Sequence, residues 1–506
     1  MPSEPRSVLV ARTLGSAVSG VLVAFAFPPS GIEWLMPLGL AGLMLTVRGC
    51  SGRGGFGQGL VFGLGFMLPL VRWVTIIGAD AWIALGLLEA LFYGGMAMSW
   101  AWMRSYRWWP VGVALSWVAA EFLRSTVPFG GLPWGNLAFG LVQTPLVRYG
   151  RVGGTALVAF VAVLVVATLV NAAERRRQAL VAALLVAGAV AVLAISVFLP
   201  VGADGATGQL LVAAVQGNVP GQGMDPFSER RAVLDNHAQA TTDFARDVGA
   251  GRRPQPDVVI WPENSTDIDP FVDESAFREI DAAVRAIGVP TLVGAVVAGP
   301  DKNHMQNMGV VWDPRTGPGE EYVKRHLVPF GEYIPFRGVL AKLFTRLDQI
   351  PLDFAPGQHD GVLQLGPARI GDVTCFEVAY DELIRDVMTH GGQLLVVQTN
   401  NATYTGTGQL EQQFAISRYR AIETGRSVVI AATDGISGII APDGTVLAST
   451  KQRTQEVLEE SVPLANGVTW GVRIGGWLKV VLSVVAVAFT LVAYLGRHRT
   501  VGRMRP

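Results

Sequence analysis

The chain has 506 residues, half of them hydrophobic and only 16% charged, and its mean hydropathy is +0.38. That is too apolar for an ordinary soluble protein of this size, so membrane insertion is the first expectation. Forty basic side chains balance forty acidic ones, which excludes the global basic field that would point to a nucleic-acid partner.

In chain order, apolar segments run over residues 7–27, 31–48, 55–77, 81–103, 109–124, 153–173 and 178–200, near the roughly twenty residues that cross a hydrocarbon core. The fifth, WPVGVALSWVAAEFLRS, ends in Glu121 and Arg124 and is expected to be short or tilted. An eighth, residues 476–496, stands alone after a long stretch of soluble composition. Abundant glycine suits such a bundle, because small residues let helices approach closely in lipid. If every segment crosses, Arg6, Arg48, Arg53, Arg104, Arg107, Arg175, Arg176, Arg177, Arg497, Arg499, Arg503 and Arg505 share one side, the positive-inside pattern. The expected division is a seven-segment transmembrane bundle over 1–203, an extracytoplasmic domain over 204–470, and a C-terminal transmembrane helix with a basic cytoplasmic tail over 471–506. Two readings of the first segment are open, a retained helix or a signal peptide cleaved near Ala24-Phe25-Ala26, and both leave the sidedness unchanged.

Within residues 208–468, QLLVAAVQGN, PDVVIWPEN, TLVGAVVAG, MGVVWDP, ARIGDVTCFEV, QLLVVQTNN and SVVIAATDG read as buried strands with polar ends. SERRAVLDNHAQATTDFARDV, ESAFREIDAAVRAIG, DELIRDVMTHGG and QLEQQFAISRYRAIETG read as amphipathic helices, with Ser228 and Asp381 as N-caps and Gly391 and Gly425 as stops. This alternation predicts a layered α/β domain, and APDGTV predicts a tight turn closing a late hairpin. FTRLDQIPLDFAPGQHDG, residues 344–361, has little periodicity and is expected to be a mobile arm.

The chain has two cysteines, Cys50 and Cys375. The expected topology puts them on opposite sides of the membrane, so a disulfide between them is excluded and Cys375 is a free thiol. Cys375, Glu263 and Lys324 all fall where predicted strands end, the place where reactive groups emerge from an α/β scaffold. A carboxylate can take a thiol's proton, and an ammonium can stabilise the oxyanion formed when the thiolate attacks a carbonyl. Taken singly, each has a plainer reading: an inert core thiol, a turn cap and a solvated lysine. His326, two residues from Lys324, faces the other way in an extended chain and reads as structural. No spacing supports a metal site or a nucleotide loop, so no metal and no cofactor are expected.

Read together, WPEN, YVKRHLVPFGEY and CFE in the order Glu, Lys, Cys resemble the nitrilase, or carbon–nitrogen hydrolase, superfamily. With seven apolar segments before and one after, the whole chain resembles the bacterial apolipoprotein N-acyltransferase family. HLVPFGEY after a lysine, QGNVP at 216–220, EFLR with LPWGNLAFG at 132–140, and RAIETGR at 420–426 agree with it. The resemblance implies a membrane protein in which an N-terminal transmembrane helical bundle precedes an α/β nitrilase-like αββα sandwich and one C-terminal transmembrane helix. It implies that Cys375 is the nucleophile, Glu263 the general base and Lys324 the oxyanion stabiliser, with Glu332 and Glu377 matching further acidic positions. Phe376 stands where many members carry tyrosine, which leaves only its backbone N–H for an oxyanion role. GQGMDPF at 221–227 also lacks a tryptophan that many relatives carry, which puts lipid contacts there in doubt.

The implied reaction is two-step acyl transfer through a cysteine thioester. The implied partners are a phospholipid acyl donor, a diacylated lipoprotein acceptor and the membrane itself, with no nucleic acid, and the chain is expected to act as a monomer in the bacterial cell membrane. A membrane-tethered amidase that passes its acyl group to water needs the same triad, so the triad leaves that alternative open. A non-catalytic transporter or lipid-binding scaffold would need paired intramembrane charges, of which Asp80, Glu89 and the Glu121 and Arg124 pair are few.

Overall fold

The computed structural model describes residues 5–219, 230–339, 347 and 352–502. The chain divides into two compact units, Met1–Pro200 with Ile474–Pro506, and Val201–Arg473.

The first unit is helical: α1 (Arg6–Phe25), α2 (Leu35–Thr46), α3 (Gly52–Leu70), α4 (Ala79–Met103), α5 (Trp109–Arg124), α6 (Gly150–Glu174), α7 (Ala179–Phe198) and most of a last helix, Trp470–Gly502. Ser51 caps α3 by accepting from Gly54 N, and Pro110 occupies the first turn of α5, where no intrahelical donor is lost. Glycines set the closest approaches. A Cβ on Gly20 would lie 2.1 Å from Phe62 O, and one on Gly59 would lie 2.3 Å from Tyr93 O, so α1, α3 and α4 pack backbone to backbone.

The eight apolar segments of the sequence form helices of unequal length. Among the described residues, five helices are long and apolar enough to span a membrane: α1, α4, α6 with the turn before it, α7 and Trp470–Gly496. α2 has only 12 residues, about 18 Å of rise, well short of the roughly 30 Å of a hydrocarbon core. α5 has 16 residues, and seven of the 19 in α3 are glycine. Arg124 at the end of α5 is wholly buried, and its Nη1 lies 3.2 Å from Glu89 Oε2 while donating to the carbonyls of Leu132 (2.8 Å) and Trp134 (2.6 Å). Glu121 Oε1 accepts from Trp117 Nε1 and Leu137 N, both at 2.9 Å. These charges therefore pin the LPWGNLAFG loop to α4 and α5.

The second unit is a two-sheet sandwich of strands β1 (Ala206–Gln216), β2 (Val258–Ile260), β3 (Thr291–Ala298), β4 (His304–Asp313), β5 (Gly317–Val323), β6 (Asp353–Phe354), β7 (Val362–Leu365), β8 (Ala368–Thr374), β9 (Leu394–Thr399), β10 (Val428–Ala432), β11 (Gly438–Ile440), β12 (Val446–Ser449) and β13 (Glu456–Ala465). The first sheet runs β13-β1-β2-β3-β4-β5 with β6 on β4, and the second runs β12-β11-β10-β9-β8-β7. Alternating residues from facing strands, among them Val212, Ile260, Leu292, Ile370, Val396 and Val429, form the core between the sheets. The outer face of the first sheet is covered by α8 (Arg230–Gly249) and α9 (Glu274–Ile287), through Leu234, Phe244, Ile280 and Val284. On the second sheet lie α10 (Asp381–Thr389) and α11 (Gln409–Thr424), so the order of layers is helix, sheet, sheet, helix.

The predicted strands and helices form where their patterns place them, except that ARIGDVTCFEV leaves its strand after Thr374, and Gly425 (φ +64°) ends α11 in the left-handed conformation. APDGTV does turn the β11–β12 hairpin, with Gly444 at φ +86°. Asp381 is not the N-cap of α10. Tyr380 holds that place, and Asp381 instead pairs with the buried guanidinium of Arg420 at 2.9 Å. The Ser228 cap, the GQGMDPF stretch and residues 344–346 and 348–351 of the 344–361 arm lie outside the described residues.

Candidate active site

Glu263 follows β2 after Trp261 and Pro262, Lys324 follows β5 directly, and Cys375 follows β8. The WPEN turn is fixed from both sides. Trp261 Nε1 donates to Thr241 on α8 at 2.9 Å, while Gln398 Nε2 on β9 donates to Trp261 O at 2.6 Å across the two sheets. Gly294 on β3 makes the turn's seat, since a Cβ there would meet Pro262 O at 2.1 Å.

Cys375 is not the last residue of its strand but the first of a short 3₁₀ turn, Cys375–Ala379, and it sits at φ +55°. That region is sparsely populated for a residue with a side chain, and the surroundings must impose it. Glu377 does so. It is fully buried and accepts from Thr374 N (2.8 Å), Arg325 N (2.8 Å), His326 N (2.8 Å) and Tyr322 Oη (2.9 Å). Burial pushes its carboxyl up despite those donors, so it is a brace that ties the cysteine turn to the lysine strand. Phe376 is buried beside the thiol.

Lys324, 1% exposed, lies 3.1 Å from Glu263 Oε1 and 2.8 Å from Glu332 Oε1. Burial works against its charge, but Glu263 and Glu332 outweigh that penalty and hold the ammonium well above the ordinary lysine range. Glu263 Oε1 also accepts from Asn307 Nδ2 (2.7 Å), and its Oε2 accepts from Asn400 N (2.7 Å). Glu332 Oε2 accepts from Val328 N at 2.8 Å, which closes the HLVPFGEY loop on itself. Burial and the nearby Glu263 charge push the Cys375 thiol up to about 12, against the opposing pull of Lys324 and Thr399. The resting group is therefore a neutral thiol with a base and a cation around it.

The structure brings Glu263, Lys324, Glu332 and Cys375 together, with Glu377 one layer behind. The His326 ring lies against Tyr380, 3.6 Å between centroids and tilted by 33°, and burial, helped by the Lys324 charge, lowers it to about 4. Both cysteines are buried. Among the described residues, no group of three or more His, Cys, Asp or Glu side chains is placed to hold a metal ion.

A family model described as the apolipoprotein N-acyltransferase N-terminal domain matches residues 19–168, and one described as carbon-nitrogen hydrolase matches residues 211–471. A protein of Mycolicibacterium smegmatis named apolipoprotein N-acyltransferase is 39% identical over 97% of this chain and 86% of its own. The chain belongs to the apolipoprotein N-acyltransferase family. Another relative of that name, from Pseudomonas aeruginosa, is 30% identical over 95% of both chains. Among solved structures, an amidase from Nesterenkonia sp. is similar at 18% identity, covering 52% of this chain and 92% of its own with a TM-score of 0.36.

As a member of the apolipoprotein N-acyltransferase family the chain is an enzyme and a membrane protein. Motif reading missed a group of neutral residues around Glu263, Lys324 and Cys375: Asn307, Thr399, Asn400, Asn401 and Gln413. For Thr399, Asn400 and Asn401 the signal was the polar run QTNN at the end of β9, directly after four buried apolar residues; Asn307 and Gln413 carried none.

Proposed function

We propose that the enzyme moves a fatty acyl group from a membrane phospholipid to the N-terminal α-amine of a diacylglyceryl-cysteine lipoprotein. The observation that carries this reading is the buried ammonium of Lys324 held by two carboxylates beside a buried thiol, in a chain whose family match extends over its apolar helices as well. Glu263 accepts the thiol proton as Cys375 Sγ attacks the ester carbonyl, and Lys324 stabilises the tetrahedral oxyanion. The C–O bond breaks, the proton held on Glu263 passes to the leaving alkoxide, and a lysophospholipid departs. The lipoprotein amine then attacks the thioester, loses its proton to Glu263, and the thiolate leaves as an amide forms. The proton passes back to sulfur, which restores the starting thiol. Glu332 keeps Lys324 charged and in place. We place the reaction on the extracytoplasmic side of the bacterial inner membrane, carried out by a monomer. Confinement of both substrates to one membrane surface raises their effective concentration.

Intact-mass spectrometry of the purified enzyme mixed with phospholipid tests the reading. The expected result is a fatty-acyl adduct on the peptide containing Cys375, absent from Cys375→Ala and discharged by a diacylated lipopeptide. An adduct discharged by water but not by the lipopeptide would favour the amidase alternative.

A further inference from the structure

Behind the thiol runs a chain of buried neutral polar groups that the reaction described above does not use. Gln409 Nε2 donates to Gln413 Oε1 (2.8 Å), and Gln413 Nε2 donates to Thr399 Oγ1 (2.9 Å). Thr399 Oγ1 in turn lies 2.6 Å from Asn401 Oδ1 and 3.3 Å from Cys375 Sγ. Cys375 Sγ is 3.7 Å from Asn401 Oδ1. All five side chains are buried, so water does not compete for these bonds.

A threonine hydroxyl has one proton to give and two lone pairs to offer. Gln413 occupies one lone pair, which turns the hydroxyl so that its proton faces Asn401 Oδ1 or the sulfur. While sulfur holds its proton, the hydroxyl donates to Asn401 and its second lone pair is open to the S–H. Once the thiol proton has left for Glu263, the sulfur becomes an anionic acceptor 3.3 Å away, and rotation about one bond carries the hydroxyl proton to it. No proton changes owner in that rotation.

We infer that Thr399 is a further catalytic residue, whose hydroxyl donates to the Cys375 thiolate, and that Gln413 is the positioning residue that aims it. The inference rests on Cys375 being the nucleophile. It adds a neutral donor to the charged stabilisation by Lys324, and a neutral donor leaves the charge balance of Glu263 and Glu332 untouched.

The test is the rate at which iodoacetamide alkylates Cys375 in the full-length enzyme, followed by mass on the peptide over about pH 6 to 10, with variants at position 399. Thr399→Val and Thr399→Ala are both expected to react about tenfold more slowly at a given pH, displacing the rate line by about one unit, while Thr399→Ser stays within about threefold of wild type. The alanine variant separates chemistry from access, because a smaller side chain cannot block the reagent. Wild-type alkylation of Thr399→Ala would overturn the inference. Should the position 399 variants lose their thermal unfolding transition, Gln413→Leu carries the test: a slower rate supports the inference and an unchanged one overturns it. The acyl adduct on wild-type Cys375 is scored separately, so failure of the nucleophile reading is not confused with failure of this one.

Discussion

Lys324 and Glu332 form the shorter of the two ion pairs in the site, 2.8 Å from Nζ to Oε1 against 3.1 Å to Glu263, and both side chains are largely withdrawn from solvent. In the proposed mechanism Glu332 is the carboxylate that frees Glu263 to act as a base: with Glu332 present, Lys324 keeps a counter-charge even while Glu263 is protonated. Glu332→Gln is expected to slow acyl-enzyme formation about a hundredfold and to destabilise the fold by about 3 kcal/mol, as breaking a buried pair does. Single-turnover mass spectrometry and thermal unfolding in detergent check both. A variant that acylates at the wild-type rate would remove Glu332 from the mechanism.

The thiol pushed up to about 12 makes a statement about pH. Wild-type Cys375 is expected to alkylate faster and faster through the ordinary thiol range near pH 8.5, with no plateau there. The sign for stability follows. A group raised on folding lends stability at pH values below its unfolded pKa, and loses it as pH rises toward the folded value, so Cys375 weakens the fold progressively from about pH 8.5 up to about 12. A plateau in the alkylation profile near the ordinary thiol value would show that the resting thiol is already activated.

Asp372 on β8 is fully buried between the sheets, and among the described residues no donor reaches either of its oxygens. Burial, reinforced by the charges of Glu377 and Glu263, raises it well above the ordinary carboxylate range. It therefore stays neutral, and its stabilising contribution, complete in acid, declines as pH rises from about 4. Asp372→Asn is expected to fold, to stay active, and to gain thermal stability over wild type as pH increases. Equal melting temperatures across the pH range would show that the carboxyl is not held neutral.

In the helical unit, Arg124→Leu leaves Glu89 buried without its cation and releases the carbonyls of Leu132 and Trp134. A loss of about 3 to 5 kcal/mol is expected. Hydrogen exchange should quicken over residues 132–140 in particular, and unchanged protection there would mean that the loop is held by packing alone.

The strands and the amphipathic helices of the second unit were legible because their periods survive in the sequence: DVVI and LLVV are continuous apolar runs, and Ile280, Val284 and Ile287 recur along α9. The acidic and basic members of the site were legible because each stands on its own motif. The lengths of the membrane helices were less so, since composition marks LMPLGLAGLMLT as apolar but does not say that its helix stops after 12 residues. The neutral side chains were not legible at all as a group. Asn307, Thr399 and Gln413 lie on three separate elements, β4, β9 and α11, and meet only through the pairing of strands and the docking of a helix.

The left-handed backbone at Cys375 sets two demands against each other. Glycine would occupy that turn with the least strain, whereas a side chain there costs about 1 to 2 kcal/mol. Stability alone would therefore select away the one atom on which the proposed chemistry depends. The many hydrogen bonds gathered by Glu377 are what let the fold tolerate the proposed nucleophile in a glycine's place.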